Sequence, residues 1–121
     1  MSAPVWIGVA VLGGLGALAR FAVDGAVSAR VAREFPYGTL AVNISGSLVL
    51  GTLSGAGVGR SASGLAGGAV VGAYTTFSTW MLETQRLAEE GELLAAALNL
   101  AISLAAGLAA AALGRQIGGW L

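Results

Sequence analysis

The residues best suited to chemistry lie in VVGAYTTFSTW, which runs from Val70 to Trp80. Within an apolar run, this stretch carries four uncharged hydroxyl side chains: Thr75, Thr76, Ser78 and Thr79. A hydroxyl can donate or accept a hydrogen bond, although a single Ser or Thr in a membrane helix often bonds back to the carbonyl group four residues earlier. A cluster of four hydroxyls without a charge predicts instead the wall of a path for a small ion.

Two amide side chains add neutral donors outside this stretch. Asn43 and Ser47 lie four residues apart, as do Asn99 and Ser103, so that each pair shares one helix face. An amide in lipid needs a hydrogen-bonding partner. For Asn43 we favour contact with an ion over a bond between helices, and both interpretations stay open. Neutral groups suit an ion that must enter and leave quickly, because a full countercharge would hold it.

Phe77 and Trp80 are three residues apart and also share a helix face. Packing against lipid or another helix explains most such pairs. The functional alternative uses the aromatic ring edge, which carries partial positive charge and can meet an anion. Ring edges that alternate with amide and hydroxyl donors would replace part of the hydration shell of a small anion.

The residue types that are missing exclude several functions. The chain of 121 residues has no Cys, His or Lys, and its net charge is zero. Without a pair of nucleophile and base there is no catalytic constellation, and we expect no enzyme. No ionisable residue lies near the centre of an apolar segment, which argues against coupling to protons or cations. Zero net charge argues against nucleic acid as a partner.

Membrane helices must position these residues. The chain is 56% hydrophobic and 10% charged, its mean hydropathy is +0.83, and a soluble domain would carry about 25% charged residues. Apolar segments of about 20 residues, enough to cross about 30 Å of hydrocarbon, occupy residues 4–23, 38–58, 65–87 and 93–113. They lack the alternation of barrel strands. We therefore predict an all-α membrane protein with four transmembrane helices in a single domain, residues 1–121.

The arginines hardly favour one orientation across the membrane. With both termini on one side, four arginines lie at the loops after the first and third segments: Arg20, Arg30, Arg33 and Arg86. The opposite side holds Arg60 and Arg115. A bias of four to two is small for the positive-inside rule. A single orientation stays open, and so does insertion in both directions with antiparallel pairing.

Glycines are dense before the hydroxyl cluster, in GLAGGAVVGAYTT at residues 64–76. Each interior glycine costs a helix about 1 kcal/mol relative to alanine, which favours a break in the third helix near the membrane midplane. A break would free carbonyl groups to bind a cation, and non-helical backbone in a membrane must be shielded by protein. The small-residue rows Gly51/Gly55 and Ser103/Gly107/Ala111 also favour an oligomer, although each row alone could equally pack within one subunit.

Three motifs in order resemble the CrcB/Fluc family of fluoride channels: GGLGALAR at residues 13–20, GTLAVNISGSLVLG at residues 38–51 and TTFSTWMLE at residues 75–83. The fourth segment, with Ser103 and Gly107, is similar to the last helix of the family. The resemblance covers nearly the whole chain. Each motif alone is weakly specific, but their ordered combination is highly specific.

The resemblance implies a dual-topology, antiparallel homodimer in the lipid bilayer of the cell (inner or plasma) membrane. Such a dimer exports fluoride passively through two pores and so protects the cell from fluoride toxicity. A structural sodium ion at the dimer centre would be bound by the carbonyl oxygens of Gly72 and Thr75, and Arg20 would lie in the aqueous vestibule. The residues matched to the fluoride pore are Asn43, Phe77, Ser78, Thr79, Trp80, Asn99 and Ser103.

The sequence departs from the family pattern at three positions. Ala73 follows Gly72 where the family often has a second glycine, Trp80 replaces the usual second phenylalanine, and Asn99 stands where some members carry tyrosine. The alternative from another class is a small multidrug-resistance-type, dual-topology exporter, which relies on a glutamate in its first helix. Here the first acidic residue is Asp24, so we favour the channel. A structural subunit of a larger complex would leave the motif at residues 75–83 unexplained.

Overall fold

A computed structural model describes residues 2–31, 35–58 and 62–121, and these ranges form five α-helices. The helices are α1 (Ala3–Arg30), α2 (Tyr37–Gly55), α3 (Ala62–Tyr74), α4 (Ser78–Glu89) and α5 (Leu93–Gly119). No strand occurs in the ranges described. The predicted all-helical class is therefore confirmed over these residues.

The helices extend beyond some of the predicted segments. The 28 residues of α1 and the 27 residues of α5 continue past the predicted ends at 23 and 113. The extension of α1 is polar, and Ser28 Oγ donates to Asp24 Oδ1 at 3.3 Å, one turn apart. The third segment is occupied by α3 and α4, and residues 75–77 between them are not helical. Arg33 and Arg60, which contribute to the orientation count, lie outside the described residues.

Among the residues described, α1 and α5 are the helices long and apolar enough to cross a membrane. The core helix of a soluble protein can pass the same test, but such a helix is mostly buried. Here only 6% of the apolar window of α1 and 22% of that of α5 are buried within the chain. Phe21 and Leu108 are 82% and 65% exposed. This surface suits lipid or another protein chain better than water.

Glycines set the closest contacts between α2 and α5. A side chain on Gly51 would strike the backbone carbonyl group of Ala111, and one on Gly114 would strike the backbone of α2. Gly55 and Gly118 make equivalent contacts one turn further along. Position 51 faces 111 and position 55 faces 115, so α2 and α5 run in the same direction. The row Gly51/Gly55 thus packs within one subunit.

A glycine with positive φ ends α4 and turns the chain into α5. Gly91 has a φ of 80°, in the left-handed region that glycine tolerates. Its N–H donates to the carbonyl group of Ala88 at 3.1 Å, and the N–H of Glu92 donates to that of Leu87 at 2.9 Å, which is a Schellman arrangement. The resulting hairpin of α4 and α5 brings the middle of α4 against Asn99.

Candidate functional site

The break between α3 and α4 is held by Asn43 of α2. Asn43 Nδ2 donates to the carbonyl oxygen of Thr76 at 2.9 Å, and the Thr76 N–H donates to Asn43 Oδ1 at 2.8 Å. Backbone outside a helix needs such partners where water does not reach it. The bond between helices, one of the two interpretations of Asn43, is therefore present. The same side chain also lines the cavity described below.

Side chains accept hydrogen bonds from two backbone N–H groups that would bond to carbonyl groups in a continuous helix. In an α-helix the Thr76 N–H would bond to the carbonyl group of Gly72, and the Thr79 N–H to that of Thr75. Instead the Thr76 N–H bonds to Asn43, and the Thr79 N–H donates to Thr76 Oγ1 at 3.1 Å. Within the described ranges, no hydrogen bond reaches the carbonyl oxygens of Gly72 or Thr75. Both oxygens, at the partially negative end of α3, are able to coordinate a cation.

Other hydroxyls of the cluster also make hydrogen bonds near the break. Thr75 Oγ1 donates to the carbonyl group of Val71 at 3.1 Å, which is the bond to residue i−4 expected in a membrane helix. Ser78 Oγ is exposed and lies 3.3 Å from Thr76 Oγ1. Gly46 of α2 leaves room for the break, because a side chain there would strike Thr75 Cγ2. The cluster therefore shapes the backbone as well as offering donors.

Phe77 and Trp80 form an edge-to-face pair, with ring centroids 5.7 Å apart and ring planes at 87°. Phe77 is 69% exposed, so its ring does not belong to the core of this chain. Trp80 Nε1 donates to the backbone carbonyl group of Asn99 at 3.0 Å. Because the indole N–H is bonded to α5, Trp80 lines the cavity described below with its ring and not with a free N–H.

A cavity of about 320 Å³, which we call the central cavity, lies between the break, α2 and α5. Four of the seven predicted pore residues line it: Asn43, Phe77, Trp80 and Ser103. Ser47 lines it too, and so does the small-residue row of α5 at positions 103, 107 and 111. None of the described charged side chains does. Amide, hydroxyl and aromatic groups from separate helices thus meet around one space.

The other three predicted pore residues lie outside the central cavity. Asn99 is buried behind Ser103: its Nδ2 donates to Thr84 Oγ1 at 2.8 Å, and its Oδ1 accepts from Ser103 Oγ at 3.4 Å. Ser78 is exposed, and Thr79 lines a separate small cavity. The protein therefore satisfies the amide of Asn99 internally, and Ser103 is the α5 hydroxyl that faces the central cavity.

The small cavity, of about 10 Å³, places Arg20 next to the break, because Thr76 lines this cavity as well as the central one. Its other polar lining residues are Asp24, Thr39 and Thr79. In the part of the chain described, three buried side-chain atoms have no hydrogen-bond partner: Arg20 Nε, Thr39 Oγ1 and Glu83 Oε1. Arg20 and Thr39 line the small cavity, whereas Glu83 contacts Thr39 but lines a separate cavity. Buried polar atoms without a partner are costly, so Arg20 Nε and Thr39 Oγ1 indicate a place for water or an ion in the small cavity.

Thr39 and Glu83 were not predicted from the sequence as site residues. A signal was present in the spacing, because Thr39 lies four residues before Asn43 and Glu83 lies four residues after Thr79. Residues four apart share a helix face. Following each predicted pore residue one turn along its helix would have found both.

Comparison with known proteins places the chain in one family. The family described as CrcB-like protein, Camphor Resistance (CrcB), matches residues 7–115. A relative named fluoride-specific ion channel FluC 2, from Mycolicibacterium paratuberculosis, is 58% identical over 113 residues, which cover 93% of each chain. FluC 2 from Mycobacterium tuberculosis is 53% identical over 117 residues, covering 97% of this chain and 93% of the relative. FluC 1 from Symbiobacterium thermophilum is 43% identical over 119 residues, covering 93% of this chain and 96% of the relative. The chain therefore belongs to the CrcB-like family, as its three ordered motifs predict.

Proposed function

We propose that this chain is a fluoride channel that exports fluoride passively and so protects the cell from fluoride toxicity. The observation that carries the proposal is the meeting of Asn43, Phe77, Trp80 and Ser103 around one uncharged cavity. The names of the relatives, which describe them as fluoride-specific ion channels, support the choice of ion. The protein is not an enzyme in this proposal, since it moves the ion without changing a covalent bond.

The groups around the central cavity replace water around the anion. Asn43 has two amide hydrogens and donates one to Thr76, which leaves the other for an ion. Ser47 and Ser103 supply hydroxyls, and the exposed ring of Phe77 supplies a partially positive edge. Because no full charge lines the cavity, the anion is stabilised without being held.

Export needs no coupled energy source. Fluoride enters the cell as hydrogen fluoride, a weak acid that dissociates at neutral pH and leaves the anion inside. A negative-inside membrane potential drives the anion out with about 2.3 kcal/mol per charge for each 100 mV. The central cavity, with no described ionisable side chain in its wall, fits this uncoupled transport.

The channel is an antiparallel, dual-topology homodimer in the cell (inner or plasma) membrane, with each chain crossing the bilayer several times. The width of the central cavity supports a second copy. At about 320 Å³, the cavity has far more room than a dehydrated fluoride ion needs. A second chain that covers the exposed Phe77 would narrow the path. The small arginine bias permits insertion in both directions.

A structural sodium ion would be held at the centre of this dimer by the carbonyl oxygens of Gly72 and Thr75. The residues fit a cation, because both oxygens are free of hydrogen bonds within the described ranges. Gly72 is exposed, and nothing lies within 4 Å of the position that a Cβ would occupy, which leaves space for a second chain. The bound ion would offset the partial negative charge of the carbonyl ends and join the two breaks.

Flux from liposomes tests the function. The purified protein is reconstituted into vesicles loaded with potassium fluoride or potassium chloride, valinomycin is added to carry the balancing potassium, and ion-selective electrodes follow each anion. We expect rapid release of fluoride and far slower release of chloride, with protein-free vesicles as the control. Equal rates for the two anions would remove the proposal.

A further inference from the structure

The groove between α2 and α5 holds another space next to the central cavity. A second cavity of about 670 Å³ shares Leu50 and Ala111 with it. This second space, which we call the distal cavity, is also lined by Ser54, Arg115 and Gln116. On the other side, Thr76 lines both the central cavity and the small cavity at Arg20. The three spaces are therefore neighbours in a series, and an arginine lines the space at each end.

The series spans most of the length of α2. Thr39 lines the small cavity and Ser54 lines the distal one, and fifteen residues of helix between them rise about 22 Å. Along α5, Arg115 lies twelve residues beyond Ser103, a rise of about 18 Å. The distal cavity lies where α2 ends at Gly55 and where α5 nears its end. The series thus leads from the interior to that end of the helices.

Arg115 is the charge that marks this end. Its side chain is exposed and makes no ion pair or hydrogen bond with the described residues. The described carboxylate side chains lie at Asp24 and at positions 83, 89, 90 and 92, and none of them lines the distal cavity. A free guanidinium offers five N–H donors and a permanent positive charge. Gln116 and Ser54 add neutral donors in the same wall.

We propose that Arg115, with Gln116 and Ser54, forms an anion-binding mouth at the end of the groove opposite Arg20. The mouth concentrates small monovalent anions before they enter the central cavity. This inference rests on the proposed function, because it assigns the second opening of the same path. The alternative role of Arg115 is structural: a cation near the C-terminal ends of α2 and α5 offsets their partial negative charge.

Ionic strength separates the two roles. Fluoride flux is measured in liposomes at a fixed potassium ratio, at ionic strengths of about 10 mM and about 100 mM set with potassium gluconate. The screening length falls from about 30 Å to about 10 Å between these conditions, and the 18 Å between Arg115 and Ser103 lies between the two. The variants are Arg115→Gln and Arg115→Lys. Arg30→Gln is the matched control, because Arg30 is exposed and lines none of the three cavities.

We expect Arg115→Gln to conduct about three- to tenfold more slowly than the wild type at low ionic strength and almost equally at high ionic strength. Arg115→Lys and Arg30→Gln should follow the wild type in both. Equal fluoride fluxes of Arg115→Gln and the wild type at low ionic strength would contradict the proposed anion-binding mouth. A loss of flux that is the same at both ionic strengths would also contradict it, because such a loss indicates a structural role for Arg115.

Two further outcomes remain decisive. If Arg115→Gln does not assemble, as judged by its elution from a sizing column, the salt dependence of the wild type and Arg115→Lys decides. A flux that does not fall between the two ionic strengths then contradicts the mouth. A wild type without fluoride flux overturns the proposed function and this inference together, whereas a conducting wild type with an unaffected Arg115→Gln overturns the mouth alone.

Discussion

Asn43 combines two tasks on one side chain. Its amide bonds both backbone groups of Thr76 and also lines the central cavity. The sequence presented these as alternatives, because an asparagine in an apolar helix needs a partner whichever task it serves. Which partner it meets depends on the helix packed opposite, and that helix cannot be read from the residues of α2.

Asn43→Ala should destabilise the protein because it leaves the N–H and carbonyl group of Thr76 without partners. Loss of a partner for a buried polar group costs about 1–3 kcal/mol, and we expect a clearly lower free energy of unfolding in a denaturant titration in detergent. The matched control is Thr52→Ala, which removes a bond from Thr52 Oγ1 to Leu48 within the same helix. Equal stability of the two variants would contradict the role of Asn43 in holding the break.

Phe77→Ile should abolish or sharply reduce fluoride flux while leaving the assembled protein intact. Isoleucine keeps comparable apolar bulk, and the ring is 69% exposed in the chain, so the loss of packing should stay within about 1–3 kcal/mol. What disappears is the positive ring edge. Flux from liposomes is the measurement, and sizing-column elution checks the assembly. Normal fluoride flux in an assembled variant would mean that the aromatic residues of TTFSTW serve only in packing.

Trp80→Phe is the companion change, since it restores the usual aromatic residue of the family. It removes the bond from Trp80 Nε1 to Asn99, at a cost of about 0.5–1.5 kcal/mol, but keeps a ring at the cavity. We expect fluoride flux to persist with slightly lower thermal stability. Loss of flux would mean that the indole itself, and its bond to α5, sets the geometry of the aromatic pair.

At the scale of elements, the break between α3 and α4 depends on residues from both sides. The dense glycines of α3 pointed to a break in the third segment, and α3 ends at Tyr74 while α4 begins at Ser78. The means by which the carbonyl groups become free was not predictable, because it involves Asn43 from α2. The methyl group of Ala73 meets α1 at Gly13, where a Cβ would lie 4.0 Å from it.

Thr76→Val tests whether the free carbonyl group of Thr75 matters for sodium. Valine keeps the shape of threonine but cannot accept the Thr79 N–H, so that this N–H becomes available to the Thr75 oxygen. A ligand that binds only the folded state stabilises it, so sodium should raise the melting temperature of the wild type relative to N-methylglucamine. We expect a smaller rise for Thr76→Val and an unchanged rise for Thr52→Val. A wild type insensitive to sodium would contradict the sodium site.

The contact between α2 and α5 predicts opposite effects for two glycine substitutions. Gly51→Ala places a methyl group against the carbonyl group of Ala111 and should destabilise the protein by about 1–3 kcal/mol. Gly8→Ala adds the same methyl group to α1 with nothing within 4 Å, and alanine improves helix propensity by up to about 1 kcal/mol. Thermal unfolding in detergent should rank Gly8→Ala above the wild type and Gly51→Ala below it. The reverse order would refute the close contact.

At the scale of the whole molecule, composition was enough to predict the structural class. Apolar runs predicted an all-helical chain, and the described ranges are helical apart from short connections. The grouping of Asn43, Phe77, Trp80 and Ser103 as pore residues came from the family resemblance, whereas spacing alone placed only Phe77 and Trp80 of these four on one helix face. The burial of Asn99 did not, because the hairpin after Gly91 sets which groups of α4 reach it. The exposed apolar side chains of α1 and α5 show that this surface suits lipid or another chain, but no pattern in them names a partner.

A reporter fused to the C-terminus tests the dual topology. The arginine bias of four to two is small, so the reporter should register on both sides of the membrane. Glu90→Lys combined with Glu92→Lys adds two lysines to the connection between α4 and α5 and should confine the reporter to one side. A wild-type reporter found on one side alone would mean a single orientation or a partner chain.

The glycine contacts between α2 and α5 have a consequence for control of the path. At these glycines the main chain of one helix packs directly against that of the other, so no change of side-chain rotamer can separate α2 from α5 there. The distance between α2 and α5 is therefore fixed along this contact. If the chain conducts fluoride as proposed, any opening or closing of the path would have to come from side chains that line it, such as Phe77, and not from separation of these two helices.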